Sequence, residues 1–141
     1  MKTLMMALLL GGISACGPQE IPIGKTFSDT VTRSDNFWTS GERSAGTFIS
    51  GYAKDYVVNV TQGAKYTVRW GTDNGYGNFE DQEHGDFVTN GLDEGSTIPD
   101  ASESSPSTSI WTPAMTGMNK VDADAQIQNV PFRFTILITA Q

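Results

Sequence analysis

The chain has 141 residues, a net charge of −7 and 38% hydrophobic residues, which is enough for one domain of ordinary size. An acidic chain without a basic cluster repels phosphate backbones, which excludes nucleic acid as an expected partner. There is one cysteine, so an internal disulfide is excluded and the domain must fold on its apolar core alone.

The chain begins with the pattern of an export signal. Lys2 is followed by an apolar run from Thr3 to Leu10, and small residues lead up to Cys16. A membrane-spanning helix needs roughly 20 apolar residues, so this run is too short to be one. The pattern predicts a cleaved, helical signal peptide over residues 1–15.

The end of the leader, Ile13-Ser14-Ala15-Cys16, resembles the lipobox of bacterial lipoproteins. The resemblance implies that the Cys16 sulfur carries a diacylglycerol and that the mature protein begins there with three acyl chains, enough for stable membrane anchoring. In Gram-negative relatives, an Asp directly after the lipidated cysteine favours retention in the inner membrane. This chain has Gly17 at that position, so the outer membrane is the favoured location in such a host. The alternative is an unmodified or intermolecularly paired thiol.

Cleavage before Cys16 would leave 126 residues, and the loss of Lys2 would make the net charge −8. Residues 16–24 contain Pro18 and Pro22 and predict a short, stiff tether behind the lipidated cysteine. From about residue 25 to 141 the sequence is rich in Thr, Val, Tyr and Phe between turn residues, which predicts β-strands.

Two neighbouring runs show the clearest alternation of apolar and polar side chains. Tyr56, Val58 and Val60 share one face of Ala53–Thr61, and Tyr66, Val68 and Trp70 share one face of Ala64–Trp70. Gln62-Gly63 lies between the runs, and glycine suits the positive φ of a tight turn. We therefore predict an antiparallel hairpin.

The last run, Pro131–Thr139, alternates in the same way. Weaker strands are predicted at Thr26–Thr32, Thr47–Ser50, Asp86–Thr89, Thr108–Trp111 and Val121–Gln128. Gly71–Gly85 and Asp93–Ser107 are rich in glycine, serine and acid and predict long exposed loops. With seven or eight short strands, the predicted fold is a single all-β antiparallel sandwich or jelly roll.

Part of this pattern is similar to the bacterial pre-peptidase C-terminal (PPC-like) domains. The similar segments are GTFISGYAKDYVVNVTQGAKYTVRW and the closing PFRFTILI, within Ala45–Gly77 and Val130–Thr139. Gly63, Tyr66 and Val68 match the family's Gly-x-x-Tyr-x-Val strand, whereas its usual Asp-x-Asp-Leu strand is missing here. The resemblance implies a non-catalytic accessory module for adhesion, secretion or substrate contact.

A dense set of oxygen-bearing side chains follows the second strong strand. Asp73, Asn78, Glu80 and Asp81 supply the ligands that Ca²⁺ prefers, and calcium is available outside the cytoplasm. Asn, Asp and Gly are also the ordinary residues of turns. The sequence thus suggests a calcium site while leaving open that these residues only form turns.

Trp38, Tyr76 and Trp111 have polar neighbours in the sequence. If they are exposed together, they would offer a flat aromatic surface to sugar rings. The alternative is that the two Trp side chains pack beneath loops, as large aromatic residues usually do.

The catalytic signals are weak. His84 is the only histidine and no Gly-x-Ser-x-Gly motif is present, so we expect no enzyme. The expected function is that of a lipid-anchored envelope module that binds a glycan or a protein partner. The alternatives are a carbohydrate-binding module that uses the three aromatic residues and a small hydrolase that uses carboxylates.

Overall fold

A computed structural model describes residues 17–39, 48–84, 86–88 and 107–141. The predicted signal peptide, Cys16 and all of the predicted loop Asp93–Ser107 except its last residue lie outside these ranges. Across the described ranges, no helix combines the length and the apolar composition needed to cross a lipid bilayer.

The regular structure of the described residues is β-strand without an α-helix, as the sequence predicts. The strands are β1 (Gln19–Glu20), β2 (Phe27–Val31), β3 (Asn36–Thr39), β4 (Ser50–Val60), β5 (Tyr66–Thr72), β6 (Asn78–Asp81), β7 (Asp86–Phe87), β8 (Ser107–Trp111), β9 (Gly117–Gln126) and β10 (Phe132–Ala140). A short 3-10 helix, Ile127–Asn129, joins β9 to β10.

The strands form two sheets that pack face to face, so the predicted β-sandwich is confirmed. In the first sheet, the strand order is β1-β4-β9-β6-β7. β3 also pairs with β4, on the same side of β4 as β1. In the second sheet, the order is β2-β10-β5-β8. Every described pairing is antiparallel except that of β1 with β4.

The core lies between the sheets and is filled by the alternating apolar side chains of each strand. The predicted inward faces of β4, β5 and β10 are all buried. The Trp70 ring of the second sheet stacks on Phe134, with centroids 4.9 Å apart, and lies 5.6 Å from Phe79 of the first sheet. The core is therefore a continuous aromatic and aliphatic layer shared by both sheets.

The predicted hairpin between β4 and β5 is wrong. β4 pairs with β9 in the first sheet, whereas β5 pairs with β10 and β8 in the second. Gly63 does have the expected positive φ, 80°, but the turn carries the chain from one sheet to the other. The apolar faces of β4 and β5 consequently face each other across the core instead of lying side by side in one sheet.

Two other predictions need correction. The predicted exposed loop Gly71–Gly85 contains the end of β5 and all of β6, and Phe79 is fully buried within it. The predicted tether is shorter than expected, because Gln19 and Glu20 pair with β4 and Ile21 is fully buried. The sandwich thus begins at residue 19 and not at residue 25.

Candidate functional site

The outer face of the first sheet, which points away from the second sheet, carries a row of carboxylates. Asp55 of β4 lies directly opposite Asp122 of β9, and Glu80 of β6 lies opposite Asp122 on its other side. The neighbours Tyr56, Phe79 and Val121 point into the core instead. Three adjacent strands therefore place like charges side by side, an arrangement that destabilises a sheet unless something neutralises it.

Asp124, two residues further along β9, extends this row. One carboxylate oxygen from each of Glu80, Asp122 and Asp124 lies within 4.8 Å of the other two, and we call these three residues the acidic cluster. Two ionised carboxylates at that separation repel each other by about 3–4 kcal/mol at an effective dielectric constant of about 20. Asp122 and Asp124 are only 7% and 9% exposed, so water screens this repulsion poorly.

Side-chain amides donate hydrogen bonds to these carboxylates. Gln82 donates hydrogen bonds from Nε2 to Asp55 Oδ1 at 3.0 Å and to Asp122 Oδ2 at 2.7 Å. Asn78 Nδ2 lies 3.4 Å from Asp124 Oδ1. The Oδ1 atom of Asp122 is buried and accepts no hydrogen bond.

The surroundings of the two buried acids raise their pKa values. Burial and the charges of Asp124 and Glu80 raise the pKa of Asp122, against a smaller opposing effect of the Gln82 hydrogen bond. Burial, supported by the charge of Glu80, raises the pKa of Asp124 against the Asn78 hydrogen bond. Because the two acids interact, their protons belong to the pair as a whole.

We expect the metal-free protein to become less stable as the pH rises. A carboxyl group with a raised pKa in the folded state contributes stability below the unfolded value of about 3.9 and loses it as the pH passes through the folded value. Urea unfolding in chelator should therefore give a lower free energy of unfolding at about pH 9 than at about pH 5. The same comparison with Asp122→Asn should show a much smaller difference, and an equal pH dependence in both proteins would contradict this expectation.

Asp29 acts in the opposite direction at lower pH. Burial raises the pKa of Asp29, but hydrogen bonds from Lys54 and Tyr56 outweigh it, and the net pKa is lowered. The Tyr56 hydroxyl donates to Asp29 at 2.7 Å, and the Lys54 Nζ lies 2.9 Å from the same carboxylate oxygen. Its stabilising contribution is therefore lost only on the acid side, below the range of the comparison above.

The four residues of the predicted calcium site do not come together. Asn78 and Glu80 lie at the acidic cluster, whereas Asp81 points into the protein interior and is 1% exposed. Trp111 Nε1 donates to Asp81 at 2.8 Å and Asn119 Nδ2 donates at 2.7 Å. Asp81 is therefore a structural acceptor that ties β6 to β8 and β9.

Asp73, the fourth predicted ligand, lies in the turn after β5. Its carboxylate accepts a hydrogen bond from the backbone N–H of Arg133 at 2.9 Å, and its own N–H donates to the Arg133 carbonyl at 2.9 Å. These contacts fasten the turn to the beginning of β10, where the backbone of β5 and β10 stops pairing. Asp73 thus has a local structural role apart from the acidic cluster.

The three aromatic residues predicted to bind sugar do not share an exposed surface. Trp111 is 4% exposed and belongs to the core, so the prediction of a surface that includes it is wrong. Tyr76 is half-buried and packs against the core. Trp38 is half-buried over Gly51, where an added Cβ would overlap its ring and the Ala125 carbonyl.

No protein-family model matches the chain, and no curated protein or solved structure matches it either. The similarity to PPC-like domains therefore stays a prediction. The site has to be interpreted from its own geometry.

Sequence reasoning missed Asp122 and Asp124 as site residues. They lie in the predicted strand Val121–Gln128, on the face opposite Val121, Ala123 and Ala125, and such a face is ordinarily the polar, exposed side of a sheet. The sequence does not reveal that β9 lies between β4 and β6. This strand order places Asp55 on one side of Asp122 and Glu80 on the other. The Asp-Ala-Asp spacing within one strand is the only local signal that points to the site.

Proposed function

We propose that the protein is a lipid-anchored module of the bacterial cell envelope that binds a partner and catalyses no reaction. The observation that supports this function most strongly is the leader, which ends in Ile13-Ser14-Ala15-Cys16. A β-sandwich begins almost immediately behind it, at Gln19. A compact domain joined so closely to an acylated cysteine would work at the membrane surface.

The short connection limits the position of the domain. Only Gly17 and Pro18 lie between Cys16 and β1, and two extended residues span about 7 Å. β1 lies on the edge of β4, so this edge of the first sheet would lie next to the lipid headgroups. The outer face of the same sheet would then be reached from the envelope space beside the membrane.

The charge of the domain indicates what kind of partner fits. The outer face of the first sheet presents Asp55 and the acidic cluster, and the mature chain would have a net charge of −8. Anionic polymers are repelled by such a surface. An envelope glycan or a protein partner that offers cations or hydroxyl groups is compatible with it.

The anchoring is tested by comparing the wild type with Cys16→Ser in the producing cell. We expect the wild type in the membrane fraction and in the detergent phase after phase separation, and the variant in the aqueous phase with its leader uncleaved or miscleaved. Gly17→Ala serves as the control, since no atom lies within 4 Å of a Cβ at that position and the cysteine is kept. If Cys16→Ser partitions like the wild type, the anchored function has to be abandoned.

A further inference from the structure

We propose that Glu80, Asp122 and Asp124 bind a calcium ion on the outer face of the first sheet. The site differs from the one that the sequence suggested, because it joins residues of two paired strands, β6 and β9, instead of successive residues of a loop. The proposal does not depend on lipid anchoring, and either can fail without the other.

The spacing of the acidic cluster fits a calcium ion. Oxygen ligands lie about 2.3–2.6 Å from Ca²⁺, so two oxygens bound to the same ion are at most about 5 Å apart. The three carboxylate oxygens, which lie within 4.8 Å of one another, meet this limit. The ligands are all hard oxygen donors, the type that Ca²⁺ prefers, and the group contains no histidine or cysteine of the kind that zinc favours.

The second observation is the state of Asp122. Its side chain is 7% exposed, and its Oδ1 atom is buried without a hydrogen-bond partner. Burying a carboxylate oxygen without a hydrogen-bond donor to replace its water costs free energy of folding. Such unsatisfied oxygens are rare in native proteins. A cation bound between β6 and β9 would supply the missing partner. This observation is independent of the fact that the acids are close together.

Among the residues that the structure describes, no basic side chain forms an ion pair with Asp122 or Asp124. Lys54, which follows Ala53 on β4, forms its ion pair with Asp29 of the second sheet, on the opposite side of β4 from Asp55. Asp122 and Asp124 contact each other, and their other hydrogen bonds in this part of the chain come from the amides of Gln82 and Asn78. Neutral amides position the carboxylates but leave their charge in place.

The burial pattern also leaves room for the remaining ligands. Asp122 and Asp124 are buried, whereas Glu80 is half-buried, so the site is closed towards the sheet and open on the side of Glu80. Ca²⁺ takes 6–8 oxygen ligands, and three carboxylates that bind with one or both oxygens supply only part of this number. Water, or an oxygen of a bound partner, would complete the coordination.

The test is calcium titration of the purified full-length protein in detergent after removal of metals by chelator. Calorimetry should show one site with a dissociation constant of about 10⁻⁴–10⁻³ M, the range of extracellular modules. The melting temperature should rise in millimolar CaCl₂, and MgCl₂ should bind more weakly. No heat of binding together with an unchanged melting temperature would overturn the proposal, and so would magnesium binding as tight as that of calcium.

Single variants locate the site. Asp122→Asn and Asp124→Asn should each weaken calcium binding at least tenfold, while their melting temperatures in chelator should equal or exceed that of the wild type, because a repelled charge is removed. Glu80→Gln should weaken calcium binding to the same extent. Because Glu80 is only half-buried, this variant controls for a folding defect in the two buried variants. Glu20→Gln removes an exposed charge on β1 and should bind calcium like the wild type. Unchanged binding in Glu80→Gln and in the two β9 variants would place the ion elsewhere.

Discussion

Replacement of Asp81 by alanine is expected to lower the free energy of unfolding by about 2–4 kcal/mol, because a buried polar group that loses its hydrogen-bond partner costs about 1–3 kcal/mol. Asp81 accepts hydrogen bonds from the side chains of Trp111 and Asn119 and from the backbone N–H groups of Glu83 and His84. Alanine leaves the buried Trp111 Nε1 without its acceptor and removes one of the two acceptors of Asn119 Nδ2, which keeps its hydrogen bond to the Lys120 carbonyl. Urea unfolding monitored by circular dichroism measures the loss as a lower midpoint at constant slope.

Asp73→Ala is the matched control for Asp81→Ala, because both residues belong to the acidic stretch after β5. Asp73 is exposed and its side chain accepts one backbone hydrogen bond, so we expect a loss of about 1 kcal/mol. The Asp81→Ala loss should be the same in chelator and in calcium. A loss that occurs only in calcium would mean that Asp81 is a metal ligand and would contradict its role as a structural acceptor.

Trp70→Ala is expected to lower the free energy of unfolding by a similar amount, about 3–5 kcal/mol. The ring is fully buried, stacks on Phe134 and contacts Phe79 of the opposite sheet, so its removal opens a cavity between the sheets. For a domain of this size, the melting temperature should fall by at least about 10 °C. Thermal unfolding followed by circular dichroism gives the measurement.

Two further variants test the reason for the Trp70 effect. Trp70→Phe keeps an aromatic ring between the sheets and should recover about half of the loss. Phe37→Ala removes a ring that is 57% exposed on β3, and it should cost less than about 1 kcal/mol. If Phe37→Ala destabilised the protein as much as Trp70→Ala, the core would not lie where the two sheets meet.

The faces of the strands could be predicted from the sequence because they depend on a local rule. Successive side chains of a strand point to opposite sides, so the apolar members of β4, β5 and β10 had to share a face. Their burial follows from their chemistry alone. β6 could not be predicted by this rule. Its four residues contain one apolar side chain, Phe79, and a single apolar residue cannot show an alternation.

The pairing of the strands could not be predicted in the same way. A two-residue turn at Gln62-Gly63 permits a hairpin within one sheet, and it equally permits a turn that carries the chain to the opposite sheet. Both arrangements bury Val58 and Val68, so the local pattern cannot distinguish them. Which arrangement forms depends on pairing with strands that are distant in the sequence: β4 pairs with β9, and β5 pairs with β10.

The acidic cluster depends on that same long-range pairing. Glu80 and Asp122 are far apart in the sequence and meet only because β6 lies beside β9. The predicted calcium site included Asn78 and Glu80, which lie at the acidic cluster, but it grouped them with Asp73 and Asp81 because those are close along the chain. In a strand, consecutive residues such as Glu80 and Asp81 point to opposite faces, so they could not serve one ion together.

The place and role proposed for the protein depend on the chemistry of Cys16, and the mass of the native N-terminal peptide tests this most directly. We expect a peptide that begins at Cys16 and carries a diacylglycerol on sulfur and a fatty acid on the amino group. A peptide that retains residues 1–15, or an N-terminal Cys16 with a free thiol, would contradict the anchored envelope module proposed above.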